Sequence, residues 1–222
     1  MGYDWDFSYV FKNQGILWEG FVGTIQIATA SLFLGLVVGL FLASLRMSKY
    51  RLLSIPATCL IEFLRMTPLM VQIFWVFFAL PILIDVRLDP FAAGLIAFSM
   101  QSGSFFAEVF RGGIQSIDRS QWEGAKSLGM TNLKMMRRII LPQAVRRMIP
   151  PLMERSFELI KGTTQMAAIS YSDLLYNAMV LSSQLYRPVE IMTFTALFYL
   201  CFLTLISFGM RTIETRIEKA RE

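Results

Sequence analysis

Long apolar segments separated by short charged ones dominate the chain. A helix needs about 20 largely apolar residues to cross a bilayer. Five segments approach that length, near residues 20–45, 55–84, 91–110, 152–175 and 191–210. The first has no charged residue between Glu19 and Arg46, and the last has none at all. The pattern predicts an all-α polytopic membrane protein, with five transmembrane helices in a single transmembrane domain covering residues 1–222.

Polar and small residues in three of these segments predict specific contacts. Glu108 and Arg111 lie three residues apart at the end of the third segment; they can form an ion pair at the membrane interface, and a transport role is the alternative. Glu62 and Arg65 also lie one helical turn apart and can pair, and a gate or pathway role is an open alternative for them because charges in a membrane usually line an interior. Pro68 follows and should kink or restart the helix. In the first segment, Gly35 and Gly39 form a small-xxx-small pair that lets another helix approach closely.

The cations indicate the orientation, because cytoplasmic loops are enriched in Lys and Arg. Three follow the first segment, eight follow the third and four lie in the tail after the fifth, whereas the remaining loops hold Lys12, Arg87 and Arg187. We therefore expect the N-terminus outside, the C-terminus in the cytosol, and residues 111–151 as a cytosolic loop between helices 3 and 4. The net charge of +5 is then a feature of topology and argues against a nucleic-acid partner.

The loop between helices 3 and 4 carries the signals of two short helices. Ser120 with Glu123 is a capping-box pattern, which predicts that the first helix starts at Ser120. Gly129 should end that helix, and Thr131 can cap the second one. One side of the first helix should carry Trp122, Ala125 and Leu128.

A cytosolic loop of this size is longer than a connection requires. One interpretation is a basic loop that lies on anionic lipid headgroups. The other is a docking element for a cytosolic partner, with Trp122, Leu128 and Met130 as candidate anchors. Glu123 also has two interpretations, since it can cap its own helix or form a salt bridge with the partner.

The amino-acid composition limits the catalytic and ligand-binding functions that this chain can have. The chain is 55% hydrophobic and 17% charged, and it contains no histidine, which removes the commonest general base and metal ligand. An intramembrane enzyme using its glutamates is therefore a weak alternative. No GxxxxGK[ST] sequence occurs, so the chain has no phosphate-binding loop of this type.

Three motifs carry a resemblance to a known family. The first resembles the EAA loop of ABC-importer membrane subunits, with Gly124 where that family usually has alanine; it consists of Glu123-Gly124-Ala125, Gly129, Ile139 and Leu141-Pro142. The other two look like the second-helix motif and third-helix exit of the polar amino acid permease branch; they are Phe63–Leu69 with Gln72, and Ala107–Ile114 leading to Gln121.

The resemblance implies a type I importer fold in a bacterial cytoplasmic (inner) membrane. It implies a second permease subunit, two ABC ATPase subunits, an extracytoplasmic solute-binding protein and a small polar amino acid substrate. The chain itself would bind no cofactor or metal, since ATP-Mg belongs to the ATPase. Residues 119–130 would form the coupling helix, with contacts to the ATPase through Gln121, Trp122, Glu123, Gly124, Ala125, Leu128, Gly129 and Met130.

The fourth segment departs from the family pattern N-x6-K-D-[ST]-[ST]-L at Glu154, Gly162 and Gln165. Glu154 and Glu158 can bind a positive group of the substrate, or they can pair locally with Arg155 and Lys161. The candidate pathway residues are Arg65, Thr67, Gln72, Gln101, Ser104, Glu154, Glu158, Thr164 and Gln165, although small polar residues in spans often serve helix packing instead. A secondary transporter or channel subunit for small polar solutes is the alternative function, and it would need no docking loop.

Overall fold

A computed structural model describes residues 5–219 of the chain, without the side chains of residues 211 and 213–219. The described residues form helices and turns and contain no β-strand. This confirms the predicted all-α class. The helices are α1 (Ser8–Lys12), α2 (Gln14–Arg46), α3 (Arg51–Met66), α4 (Leu69–Phe74), α5 (Leu80–Ile84), α6 (Pro90–Gln115), α7 (Arg119–Ser127), α8 (Asn132–Met135), α9 (Leu141–Gly162), α10 (Leu174–Leu185) and α11 (Pro188–Lys219).

Three short segments of other helix types join these elements. The segments Trp75–Ala79 and Met136–Ile140 are π-helical, and Thr163–Ile169 is a 3₁₀ helix. By length and apolar composition, α2 and Pro188–Met210 of α11 can each cross a membrane, and a third span exists if α3 and Leu69–Ile84 form one broken span. The five-span arrangement remains a prediction.

The predicted kink or restart at Pro68 is confirmed. Helix α3 ends at Met66, and a new helix begins at Leu69. Thr67 and Pro68 have extended backbones, with ψ of 132° and 135°. The cause is steric, since a proline ring disfavours helical geometry in the residue before it.

The predicted fourth segment, residues 152–175, does not correspond to one helix. Helix α9 runs from Leu141 to Gly162 and contains Pro150 and Pro151 in its interior. A proline removes a backbone donor, yet its φ near −65° is a helical value, so the helix continues through the pair. The helix starts eleven residues before the predicted segment because residues 141–151 include charged and polar side chains, which the apolar pattern did not assign to it.

The helices form two compact units. The first contains the described residues up to Phe33, Pro68–Phe98 and Phe157–Gly209. One of its buried clusters includes Ile27, Ile73, Phe98 and Met166. Gly20 lies so close to the Asp173 backbone that a Cβ atom on it would be 2.6 Å from the carbonyl oxygen, so only glycine fits there.

The second unit contains Leu34–Thr67, Ser99–Ser156 and the described residues from Met210 onwards. Here α2 and α6 pack through small residues. A Cβ atom on Gly103 of α6 would lie 2.6 Å from a methyl carbon of Val38. A Cβ atom on Gly35 of α2 would likewise lie too close to Ser102, and one on Gly39 too close to Phe106. These contacts confirm the predicted close approach at the two glycines.

Candidate functional site

Residues 116–135 of the second unit contain the short helices α7 and α8 and are called the projection below. The first of these helices starts differently from the prediction. Helix α7 begins at Arg119 after an extended Asp118, and no side chain caps its first turn. The capping-box assignment of Ser120 and Glu123 was therefore wrong, because Ser120 lies inside the helix and an N-cap residue must be non-helical. The Glu123 carboxylate instead accepts a hydrogen bond from Arg119, at 2.9 Å.

The end of α7 follows the prediction. Gly129 has φ of +69°, a conformation in which glycine avoids the strain of a side chain. The Met130 N–H donates to the Ala125 carbonyl at 3.2 Å and the Gly129 N–H to that of Lys126 at 2.9 Å, which is the Schellman arrangement. Thr131 then caps α8, since its side-chain oxygen accepts from the Lys134 N–H. The predicted corner at Gly129 and the cap at Thr131 are confirmed.

Two leucines project from this corner. Leu128 and Leu133 each have 80% of their surface exposed. Trp122 and Met130 are half-buried, and Gln121, Glu123 and Gly124 are exposed. Ala125 is only 2% exposed because it lies on the inner face of α7, so within this chain it supports the helix instead of lining its outer surface.

Helix α9 braces the projection through two side chains that the sequence did not single out. The Gln143 amide donates to the Gln121 side-chain oxygen at 3.2 Å. The Arg147 guanidinium donates to the Ser116 carbonyl and lies 3.5 Å from the Asp118 carboxylate. These contacts join residues 22 to 31 positions apart, and they connect the start of the projection to α9.

A chain of ion pairs links α2, α3 and α6 within the same unit. Arg46 contacts the carboxylates of both Glu62, at 3.2 Å, and Glu108. Arg65 lies 3.4 Å from the other oxygen of Glu62, and Arg111 lies 2.7 Å from Glu108. The pairs Glu62–Arg65 and Glu108–Arg111 were predicted from their spacing. The linking role of Arg46 was missed, because its partners are 16 and 62 residues away.

One end of this chain of ion pairs meets an aromatic ring. The Arg65 guanidinium carbon lies 5.5 Å from the centroid of the Phe105 ring, and that of Arg155 lies 4.6 Å from it. Nearby in sequence, the Gln101 amide donates to the Thr67 carbonyl at 3.4 Å. The end of α3, α6 and α9 thus meet around residues that include three pathway candidates, namely Arg65, Thr67 and Gln101.

The other candidates in this unit differ in their environments. Ser104 is completely buried, and its hydroxyl donates to the Gln101 carbonyl one turn earlier at 2.6 Å. This is the contact expected of a helix-packing residue. Glu154 is exposed on α9 and is therefore accessible to a ligand.

Four candidates belong to the first unit. Gln72 is buried on α4, and Glu158 is exposed on α9. The Thr164 hydroxyl donates to the Lys161 carbonyl at 3.0 Å, whereas the Gln165 side-chain oxygen is buried without a hydrogen-bond partner among the described residues. Within the described residues, no group of three or more His, Cys, Asp or Glu side chains could hold a metal ion.

The family model and the relatives that match this chain all describe membrane components of transport systems. Residues 35–220 match the family described as "Binding-protein-dependent transport system inner membrane component". The chain is 35% identical over 213 residues to the probable glutamine ABC transporter permease protein GlnM of Bacillus subtilis, covering 96% of this chain and 98% of that protein. It is 34% identical to the putative glutamine transport system permease protein GlnP of Rickettsia prowazekii, covering 90% and 91%.

Solved structures agree with these relatives. A chain from the crystal structure of an amino acid ABC transporter with histidines superposes with a TM-score of 0.92 at 29% identity, covering 96% of this chain and 100% of that one. A chain of the MetNI methionine ABC transporter in an inward-facing conformation gives a TM-score of 0.76 at 16% identity, covering 91% and 96%. The second likeness concerns the fold alone.

Proposed function

The chain belongs to the family of binding-protein-dependent transport system inner membrane components, and from that premise we propose how it works as the membrane-spanning permease subunit of an ATP-driven importer. Its relatives are amino acid permease subunits, so the chain is a transport subunit and not an enzyme. ATP hydrolysis belongs to a partner ATPase. Polar amino acids, or derivatives of them, are the proposed substrates.

The observation that carries the proposal is the projection formed by α7 and α8. Exposed leucines are common singly on protein surfaces, but Leu128 and Leu133 flank a corner fixed by Gly129, Thr131 and the contacts to α9. A braced surface with apolar anchors suits docking into a cleft of a partner. We assign this docking role to residues 119–130, with Gln121, Trp122, Glu123, Gly124, Leu128, Gly129 and Met130 at the ATPase and Ala125 supporting them from behind.

The assembly follows from the size of the chain. Five spans provide too little wall to enclose a pathway, so two permease subunits, identical or homologous, form it together. Two ATPase subunits dock on the projections, and an extracytoplasmic solute-binding protein delivers the substrate. The chain then crosses the bacterial cytoplasmic (inner) membrane five times, with the N-terminus outside and the C-terminus in the cytosol. ATP-driven movement of the docked projections would alternate the access of the pathway.

The substrate assignment rests on charge. Glu154 and Glu158 are exposed, and carboxylates in a polar membrane helix attract a positive group. Two relatives are named as glutamine permeases, and the most similar structure described above is titled as an amino acid transporter with histidines. We therefore propose a zwitterionic or cationic amino acid as the substrate, with Arg65, Thr67, Gln72, Gln101, Ser104, Thr164 and Gln165 as further residues along the pathway.

Reconstitution tests this function. Proteoliposomes would contain the chain with its ATPase and solute-binding protein, and uptake of labelled L-glutamine, L-histidine and L-arginine would be measured with and without internal ATP. We expect uptake of at least one of them to require ATP. Uptake that persists at the same rate without ATP would favour a secondary transporter or channel, and no uptake of any amino acid would contradict the substrate class.

A further inference from the structure

We infer that Arg65, Phe105 and Arg155 form a binding site for the α-carboxylate of the transported amino acid. This inference rests on the proposed function and deepens it, because it assigns one chemical group of the substrate to three side chains. All three lie in the second compact unit, on the last turn of α3, on α6 and on α9.

The first argument comes from the ion pairs. The sequence of contacts Arg65–Glu62–Arg46–Glu108–Arg111 alternates in sign, with three arginines against two glutamates. Glu62 is shared, since one oxygen contacts Arg46 at 3.2 Å and the other contacts Arg65 at 3.4 Å. The carboxylate nearest to Arg65 is therefore only partly available to it.

The second argument is an orphaned donor. The Nε atom of Arg65 is buried and has no hydrogen-bond partner among the described residues. A buried N–H of a charged group that lacks a partner is destabilising, because the group loses water without replacement. A guanidinium presents its N–H donors as a planar fork that matches a carboxylate. The structure thus holds, at the end of the ion-pair chain, a donor that an incoming anion can satisfy.

The third argument is the shared ring. Two guanidinium carbons lie 5.5 Å and 4.6 Å from the centroid of Phe105. The ring attracts each cation through its quadrupole, but the two positive charges repel one another. An anion that reaches both guanidinium groups removes this repulsion. Every free amino acid carries such an anion in its α-carboxylate.

The test compares each amino acid with its α-amide, which lacks the negative charge. Equilibrium binding of L-histidine, L-glutamine and their α-amides would be measured on the purified permease–ATPase complex without the solute-binding protein. Charge-assisted hydrogen bonds are worth enough that we expect the wild-type complex to bind the acid at least about tenfold more tightly than the amide. Arg155→Gln should reduce this preference to about threefold or less, since one of the two guanidinium groups is gone.

Three further variants make the result specific. Arg155→Lys keeps the charge without the planar fork and should retain an intermediate preference. Phe105→Leu keeps an apolar side chain but removes the ring that holds both guanidinium groups, so it should also lower the preference. Arg51→Gln, which removes a positive charge from an exposed position in the first turn of α3 outside the ion-pair chain, is the matched control and should leave the preference unchanged.

The outcomes separate this inference from the proposed function. If the wild-type complex imports amino acids with ATP but shows no preference for the acid, or if Arg155→Gln weakens acid and amide equally, the carboxylate site is refuted and the importer stands. Loss of co-purified anionic lipid in Arg155→Gln, with unchanged amino acid binding, would assign the arginines to a headgroup and also refute the site. Failure of all ATP-dependent amino acid uptake would refute the proposed function.

Discussion

Gly39 of α2 lies directly against Phe106 of α6, so that a Cβ atom on Gly39 would be only 2.7 Å from the Phe106 Cβ atom. The carbonyl oxygen of Gly103 would be 3.0 Å away. Both neighbours belong to a helix and cannot move aside easily. The spacing of α2 and α6 therefore depends on the absence of a side chain at this position.

We expect Gly39→Ala to lower the stability of the chain by about 1–3 kcal/mol, which is the usual cost of overpacking a tight contact. The measurement is the thermal melting temperature of the purified protein in detergent. Gly112→Ala is the matched control, because a Cβ atom there meets nothing within 4 Å. Equal melting temperatures for the two variants would show that the α2–α6 contact is looser than the structure indicates.

Gly129 provides a test of coupling. Its φ of +69° costs a residue with a side chain roughly 1–2 kcal/mol, and a β-branched side chain suffers most. We expect Gly129→Val to distort the corner and to abolish substrate-stimulated ATPase activity in the reconstituted complex. Gly129→Asn, which tolerates this conformation, should retain most of the stimulation. Unchanged stimulation in Gly129→Val would count against a coupling role for the corner.

Gly124 should behave in the opposite way. A Cβ atom on Gly124 meets nothing within 4 Å, and alanine favours a helix over glycine by about 1 kcal/mol. We expect Gly124→Ala to stabilise α7 and to preserve substrate-stimulated ATPase activity. Circular dichroism on heating and the ATPase assay check the two parts. A loss of activity would mean that the partner needs the space that Gly124 leaves open.

Leu128 is the candidate anchor for the ATPase. Its side chain is 80% exposed, so Leu128→Ala should not disturb the fold of the chain. If Leu128 fills a pocket of the partner, its truncation costs more than about 1 kcal/mol of binding energy, which is at least about fivefold in affinity. Binding of the ATPase to the chain in nanodiscs measures this effect. Leu52→Ala, at an 88% exposed leucine outside the projection, should bind the ATPase with wild-type affinity.

Glu154 tests the charge of the substrate. We expect Glu154→Gln to weaken transport of a cationic amino acid more than that of a neutral one, because only the former loses a charge partner. The readout is the ratio of uptake of L-arginine to L-glutamine in proteoliposomes. Glu19→Gln, at an exposed glutamate near the start of α2, is the control. An unchanged ratio in Glu154→Gln would remove Glu154 from the pathway.

Local patterns in the sequence were enough to predict those structural features that depend only on residues close together in the chain. The break at Pro68, the corner at Gly129 and the cap at Thr131 depend on the backbone preferences of single residues, and the pairs Glu62–Arg65 and Glu108–Arg111 depend on helical spacing. All of these predictions are confirmed. The capping box at Ser120 failed because more than one residue near this point can begin a helix. The helix begins at Arg119, so that Asp118 and not Ser120 is the residue before its first turn.

The sequence by itself thus determined the helical class, the corners at Pro68 and Gly129, the cap at Thr131 and the family of the chain, since these follow from apolar patterning, backbone preferences and motif spacing. Only the tertiary structure decided that Arg46 joins Glu62 to Glu108, that Arg65 and Arg155 share Phe105, and that Gln143 and Arg147 brace the projection. These contacts join residues far apart in the chain, and no local preference encodes which distant side chains meet. Helix packing settles that question, because it alone fixes the faces that α2, α3, α6 and α9 turn toward one another.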